Sequence, residues 1–484
     1  MQFGRRSWTV AAVAVALVVA TTGRADDAPA LPAPVVTQHA LTLADGSDLA
    51  YAARVGYVAL GDDPAAPDAR ILSVAYTVDE PDARRPVTFL VNGGPGAASA
   101  YLHVGGLGPR VLATDDRGMP ASNPPRLVDN PDTWLAFTDL VFVDPPSTGF
   151  SRAMGAEAQD YFDPTADLAM LSAVIDLWLD EAGRRSDPVY LAGESYGGYR
   201  AAALPVRLMR EAGIAVRGTV LVSPVIDFAA IRHRQHRPLS WAFLLPSYAA
   251  SAEAFGRQGE GALAGEALHD FALGDYLLAL VQPQQRLEGV IDRLVATTGI
   301  EADLWRKGKG RVPVAAFRRQ LLADEGRIVS AYDGGVGVPD PRPTSAFPAV
   351  DPILDGLTAP LTTAMLDHLR GPLGWSEGRG YRLLNREVNR AWRWGSDRAQ
   401  GYLSAMDDLA DALALEPGFQ VWAVHGRTDL VTPYLASTWL LDQLGAVAAD
   451  GRAVNTVHPG GHMFYMRPDA AAAVAEEARR FYGR

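Results

Sequence analysis

The sequence predicts an α/β fold with a mostly parallel central sheet, interrupted by a largely helical insertion. Three observations carry that expectation. Short continuous apolar runs recur at Val87–Val91, Leu140–Val143, Val189–Ala192, Thr219–Val222 and Val421–Val424, as expected of strands buried on both faces. Apolar residues at helical spacing lie between several of them, over Pro164–Leu179 and Gly197–Ala212. Strand alternating with helix is the pattern of a parallel sheet. The alternation then stops, because about two hundred residues separate the strand near Leu221 from the one near Trp422.

Taken in order, the chain opens with Arg5 and Arg6, then an apolar stretch from Trp8 to Ala20, then Gly23-Arg24-Ala25. This is the layout of a secretory signal peptide over residues 1–25. The apolar stretch is too short to span a bilayer comfortably, which takes about 20 residues. Residues 26–36 are rich in Ala and Pro and read as a flexible tether. Strand-like alternation with turn signals over 38–78 predicts antiparallel edge strands. The core is then expected in two parts, 37–227 and 406–484, with a helical cap inserted over 228–405. Helical patterns in the cap cover Ala250–Arg257, Ala262–Val281, Gln285–Thr298 and Val314–Asp324, and Gly334–Pro352 reads as a loop. Near the end, Val454–Val457 reads as a strand and Ala470–Phe481 as a helix.

Bulk properties narrow the function. The 484 residues are 48% hydrophobic and 21% charged, an ordinary globular composition, so a sizeable core is affordable. The net charge of -12 argues against nucleic-acid binding, and the strongest basic run, Arg232 to Arg237, is short. There is no cysteine, which excludes a thiol nucleophile, disulfides and Cys-based metal sites. His233 and His236 have metal-ligand spacing but no third ligand nearby, and no metal or other cofactor is expected.

Gly193-Glu194-Ser195-Tyr196-Gly197 fits G-x-S-x-G between a predicted strand and a predicted helix. That context makes Ser195 a nucleophile on a sharp, strained turn, as in α/β-hydrolases, with small neighbours and a helix N-terminus at the site. Such chemistry needs two backbone donors for the developing oxyanion. Tyr196 N–H, directly after the nucleophile, is one. Asn92-Gly93-Gly94-Pro95-Gly96, directly after a strand, supplies the other from Gly94, with Gly93 beside it. The order Ser, acid, His is completed by Asp429 after the strand Val421–Val424 and by His462 in Gly460-Gly461-His462-Met463. His462 would take and return the serine proton while Asp429 orients it. His458 is a rival base four residues upstream, and His425 reads as structural. The other histidines, His103 among them, look scattered. Tyr196 and Met463 are candidate pocket walls.

With these residues assembled, the chain resembles the serine carboxypeptidase family, peptidase family S10, and in particular its bacterial branch. The resemblance rests on Asn92–Gly96 with Leu107-Gly108-Pro109, on Asp129–Trp134 running on to Asp144–Ser151, on Gly193–Gly198, and on Asp429 with Gly461-His462-Met463. It implies an α/β-hydrolase fold that removes residues from peptide C-termini through an acyl-enzyme. It also implies that Asn92 and Glu194 bind the substrate's terminal carboxylate, which requires Glu194 to be protonated. The chain departs from better-known eukaryotic relatives in having Gly106 where they carry Glu, Leu90 where they carry Trp, and Ala97 where they carry Cys. The expected partners are peptides with a free C-terminus, in a periplasmic or secreted protein, with no stable membrane association once the leader is gone. A serine aminopeptidase or esterase on the same fold is the alternative. A non-catalytic binding protein on this scaffold is more remote.

Overall fold

The computed structural model describes residues 31–63, 67–79, 84–154, 158–345, 347–376, 380–394 and 402–483. The expected signal peptide and the first part of the tether lie outside the described residues. The tether is shorter than expected at its other end, because Val35 and Val36 already belong to the first strand. Alternation starts there: the strand exposes and half-buries residues in turn, which an Ala/Pro-weighted reading of 26–36 overlooked.

The sheet is built from β1 (Val35–Thr42), β2 (Asp48–Leu60), β3 (Ala69–Thr77), β4 (Val87–Val91), β5 (Asp139–Val143), β6 (Val189–Glu194), β7 (Val216–Val222), β8 (Gln420–Gly426) and β9 (Ala453–His458). Their spatial order is β1-β2-β3-β5-β4-β6-β7-β8-β9, with the short strand Arg152–Ala153 beside β3. The first three pair antiparallel and β3 joins β5 antiparallel. From β5 onward every pairing is parallel. β4, β5 and β6 are buried at every residue, which is why they read as unbroken apolar runs.

Helix α1 (Pro164–Glu181) starts where Asp163 accepts from Ala166 N at 3.0 Å, with proline in its first turn. Helix α2 (Tyr196–Arg207) runs directly out of β6. The last helix, α3 (Pro468–Tyr482), returns to the sheet, where the Tyr482 hydroxyl meets Thr88 Oγ1 at 2.7 Å.

The long insertion follows β7. Its helices include Pro238–Ala254, Gly265–Phe271, Glu288–Thr298, Val314–Gln320 and Leu354–Arg370. A small antiparallel pair, Arg327–Val329 with Gly337–Pro339, interrupts the expected loop over Gly334–Pro352. The helix expected over Ala250–Arg257 actually spans Pro238–Ala254. All residues from Ser240 to Ala252 are buried, so the helix has no polar face and its sequence shows no 3.6-residue period. The described residues from Pro32 onward form one compact unit. Among the described residues no helix is long and apolar enough to cross a membrane.

Candidate active site

The sheet order brings the C-terminal ends of β4, β6, β7 and β8 together, and each contributes one part of the site. Ser195 follows β6 and caps α2 with φ 60° and ψ -120°. That is strained backbone for a residue with a side chain. Its glycine neighbours permit the turn: a Cβ on Gly193 would run into the Gly197 carbonyl, and one on Gly197 into the Val91 carbonyl. The expected sharp strand-to-helix turn is therefore present. Tyr196 begins the helix, so its N–H has no intrahelical acceptor.

The loop after β4 lies against that turn. A Cβ on Gly93 would sit 2.5 Å from Tyr196 N, and Gly94 has φ 100°. Arg200, in α2, ties the two segments together. It donates to the Asn92 carbonyl at 2.5 Å and to both carboxylate oxygens of Asp167 at 2.8 and 2.9 Å, fully buried, with its guanidinium 4.9 Å from the Tyr196 ring centroid.

Asp429 follows β8 and is 0% exposed. Oδ1 accepts from Val431 N at 2.7 Å and Thr432 N at 3.0 Å. Oδ2 accepts from Thr432 Oγ1 at 2.7 Å and meets His462 Nδ1 at 2.7 Å. With Nδ1 turned to the carboxylate, His462 keeps Nε2 for a partner in the cavity. Its backbone is held as firmly. The His462 N–H donates to the Tyr332 carbonyl at 2.5 Å, and its carbonyl accepts from Ser223 Oγ at 2.9 Å. Burial pushes His462 down, but the Asp429 carboxylate beside it, helped by Glu194 and Asp351, brings it out above the usual imidazole range.

A cavity of about 370 Å³ collects the predicted residues. Ser195, His462, Gly94, Tyr196, Asn92 and Glu194 all line it, as does Met463. Asp429 stands behind His462. His458 is elsewhere, on Glu477 at 3.1 Å. His425 is fully buried. His103 is not isolated, as its sequence position suggested. The Tyr76 hydroxyl meets His103 Nε2 at 2.7 Å and His368 Nε2 at 2.9 Å. Residues 103 and 368 lie on different elements, so no spacing could pair them.

At the far side of the cavity, Asn92 Nδ2 donates to Glu194 Oε2, and Asn92 Oδ1 accepts from Leu102 N at 3.1 Å. Burial pushes the Glu194 carboxyl up to about 7; Asp429 adds to the rise, while His462, Tyr465 and Asn92 oppose it. The carboxyl is thus protonated in mildly acid solution. Sequence reasoning missed Thr432, Ser223 and Arg200, which hold the site rather than line it, and Tyr332, which does both. Only Arg200 carried a visible signal, as a charge on the apolar face of a helix expected to be buried. The insertion closes the cavity with Tyr332, Leu354, Leu384 and Trp394.

The fold and this arrangement of residues define the class: the chain has the α/β-hydrolase fold. Residues 53–240 match the family model for serine carboxypeptidases. The chain is similar to a carboxypeptidase Y homolog of Arthroderma benhamiae, at 31% identity over 129 residues, 25% of this chain and 22% of that protein. It is also similar to serine carboxypeptidase-like 35 of Arabidopsis thaliana, at 27% identity over 36% of each. The chain therefore spans between a fifth and two fifths of the length of these curated relatives. Both are eukaryotic, so they lend no support to a bacterial branch. Among solved structures, the Saccharomyces cerevisiae prohormone-processing carboxypeptidase Kex1 shares the fold, with a TM-score of 0.56 and 14% identity, covering 89% of this chain and 91% of that one. The matched segment contains Asn92, Glu194 and Ser195 but neither Asp429 nor His462, so the fold alone unites the two halves.

Proposed function

We propose that this protein is a serine-type carboxypeptidase. Ser195 is the nucleophile, His462 its general base and acid, and Asp429 the residue that orients His462. The N–H groups of Gly94 and Tyr196 receive the oxyanion. Asn92 and Glu194 bind the terminal carboxylate of the peptide.

One observation carries the reading: a buried, protonatable carboxyl shares the nucleophile's cavity and is already hydrogen-bonded to an amide. A charged carboxylate there would repel a substrate carboxylate. A protonated one donates to it. An esterase or aminopeptidase has no use for that pair. In the reaction, Ser195 Oγ attacks the last peptide carbonyl as its proton passes to His462 Nε2. The leaving amine takes that proton, and water then opens the acyl-enzyme by the same route. The apolar walls around Phe228, Leu354 and Trp394 suit peptide ends with apolar side chains. The leader over residues 1–25 adds export, to the periplasm or the medium, and the departures at Leu90, Ala97 and Gly106 support a branch apart from the eukaryotic relatives.

The test is digestion of matched peptides with free and amidated C-termini, read by mass spectrometry. Stepwise loss of residues from the free acid, with the amide resistant, is expected. Equal cleavage of both would end the carboxypeptidase reading, and failure of Ser195 to react with a fluorophosphonate at any pH would end the hydrolase reading.

A further inference from the structure

Gly106 and Tyr465 pack directly against one another, and Tyr465 in turn acts on Glu194, which lines the cavity. A Cβ at position 106 would overlap Tyr465 Cδ2 and lie 3.2–3.3 Å from Cε2 and Cγ, so the ring occupies the space that any larger residue at 106 would need. The Gly106 backbone is fixed there by Asn130, whose Nδ2 donates to its carbonyl at 2.8 Å. Tyr465 lies in the short turn Phe464–Met466, three residues after His462, and is 2% exposed.

The Tyr465 hydroxyl and Glu194 Oε1 are both buried, and neither has a hydrogen-bond partner of good geometry. The two groups nevertheless act on each other: the phenol stabilises the Glu194 carboxylate, and Glu194 keeps the phenol protonated. A buried polar atom left unpaired costs about 1–3 kcal/mol. Pairing the two with each other removes both costs at once.

We infer that Tyr465, seated over Gly106, is a positioning residue whose hydroxyl donates to Glu194 Oε1 and so presents the other face of that carboxyl to the C-terminal carboxylate of a peptide. This rests on the carboxypeptidase reading only for its last clause. The Tyr465–Glu194 bond is a property of the protein without substrate.

The direction of the effect follows from the donor. A phenol that donates favours the charged carboxylate. The other groups facing Glu194 are His462 and Asp429 from the segments after β9 and β8, Asn92 after β4, and the phenols of Tyr101 and Tyr332. All of these stay in place when only the Tyr465 hydroxyl is removed. Tyr465→Phe keeps the ring over Gly106, so its melting temperature should match that of the parent protein.

The experiment is an infrared titration of the protonated-carboxyl stretch, with the Glu194 band assigned as the one absent from Glu194→Gln. In Tyr465→Phe the midpoint of that band should move up by about one pH unit or more, the worth of one hydrogen bond to a charged group. An unmoved or lowered midpoint overturns the inference, whether or not peptides are cleaved. KM for a free-acid peptide, measured across the same pH range, is the second readout. Its alkaline rise should shift by the same amount in Tyr465→Phe while kcat holds. A shifted infrared midpoint with an unshifted KM would leave the bond standing and remove its role in carboxylate recognition.

Discussion

At the Asp429 end of the cavity both carboxylate oxygens are engaged, by four donors between 2.7 and 3.0 Å, whereas at the Glu194 end Oε1 and the Tyr465 hydroxyl have, among the described residues, no partner of good geometry. Both acids are buried and both stand close to His462. The difference lies in what the fold has completed. Backbone amides and Thr432 finish the Asp429 site, so its geometry is set before any substrate arrives. The Glu194 site is held by Asn92 on one oxygen, and its other oxygen is left to a single side chain, the Tyr465 hydroxyl. Buried polar atoms are nearly always satisfied in native proteins, so two atoms without a well-formed bond mark the Glu194 end as the less rigidly set of the two.

Substitutions at the two ends should therefore fail in different ways. Ser195→Ala, at the shared centre, should lower kcat by about 10⁶-fold and abolish fluorophosphonate labelling; retained labelling would place the nucleophile elsewhere. Asp429→Asn should lower kcat by about 10⁴-fold with little change in KM, because the imidazole loses its orienting carboxylate; a loss confined to KM would move Asp429 to the recognition end.

Glu194→Gln should act on KM instead. With the carboxyl titrating at about 7, the parent protein's KM for free-acid peptides should rise roughly 30-fold between its acid plateau and about pH 8.5. Glu194→Gln, neutral throughout, should flatten that rise, and a persistent rise would show that another group controls it. Thr432→Val removes the single Oγ1 proton, which lies within reach of both Asp429 Oδ2 and the Ser223 carbonyl. It should cost about 10-fold in kcat, the worth of one hydrogen bond to a charged group. An effect on amide discrimination from Thr432→Val would blur the contrast between the two ends.

The pH dependence has two limbs of opposite sign. In the proposed mechanism His462, which is raised, must be unprotonated to act, so kcat should fall as pH drops into its titration range. In the same mechanism Glu194, also raised, must be protonated to bind, so affinity should fall as pH rises through about 7. The limbs are linked, because the Glu194 charge is one of those that raise His462. Protonating Glu194 lowers the base, which lets both groups be in their working states together.

Much of the site was legible because local backbone demands produced it. The strained turn at Ser195 requires Gly193 and Gly197, and the β4 loop requires Gly93 to lie against Tyr196. Both demands appear in the sequence as fixed short strings. The strands of the parallel sheet were legible for a similar reason, since burial on both faces leaves no polar residue within β4 or β5 except Thr88 and the first residue of β5, Asp139. What was illegible depends on contacts between distant segments. Tyr332 and Tyr465 reach the site only through tertiary packing, whereas Thr432 reaches Asp429 locally, three residues along the chain. The helix Pro238–Ala254 hid for the complementary reason: burial all round erased the periodicity that reveals amphipathic helices. Gly106 was visible as a departure from the family pattern, but the ring that replaces a side chain there comes from residue 465.

The central claim is that one cavity joins a finished catalytic end to a recognition end that a terminal carboxylate completes. The most direct measurement is the ratio of kcat/KM for a peptide and its C-terminal amide, followed from about pH 5 to about pH 8.5. The account predicts a strong preference for the free acid below neutrality that collapses as pH rises through about 7, with the change in KM. A ratio that stays flat across that range, or a preference carried by kcat, would contradict it.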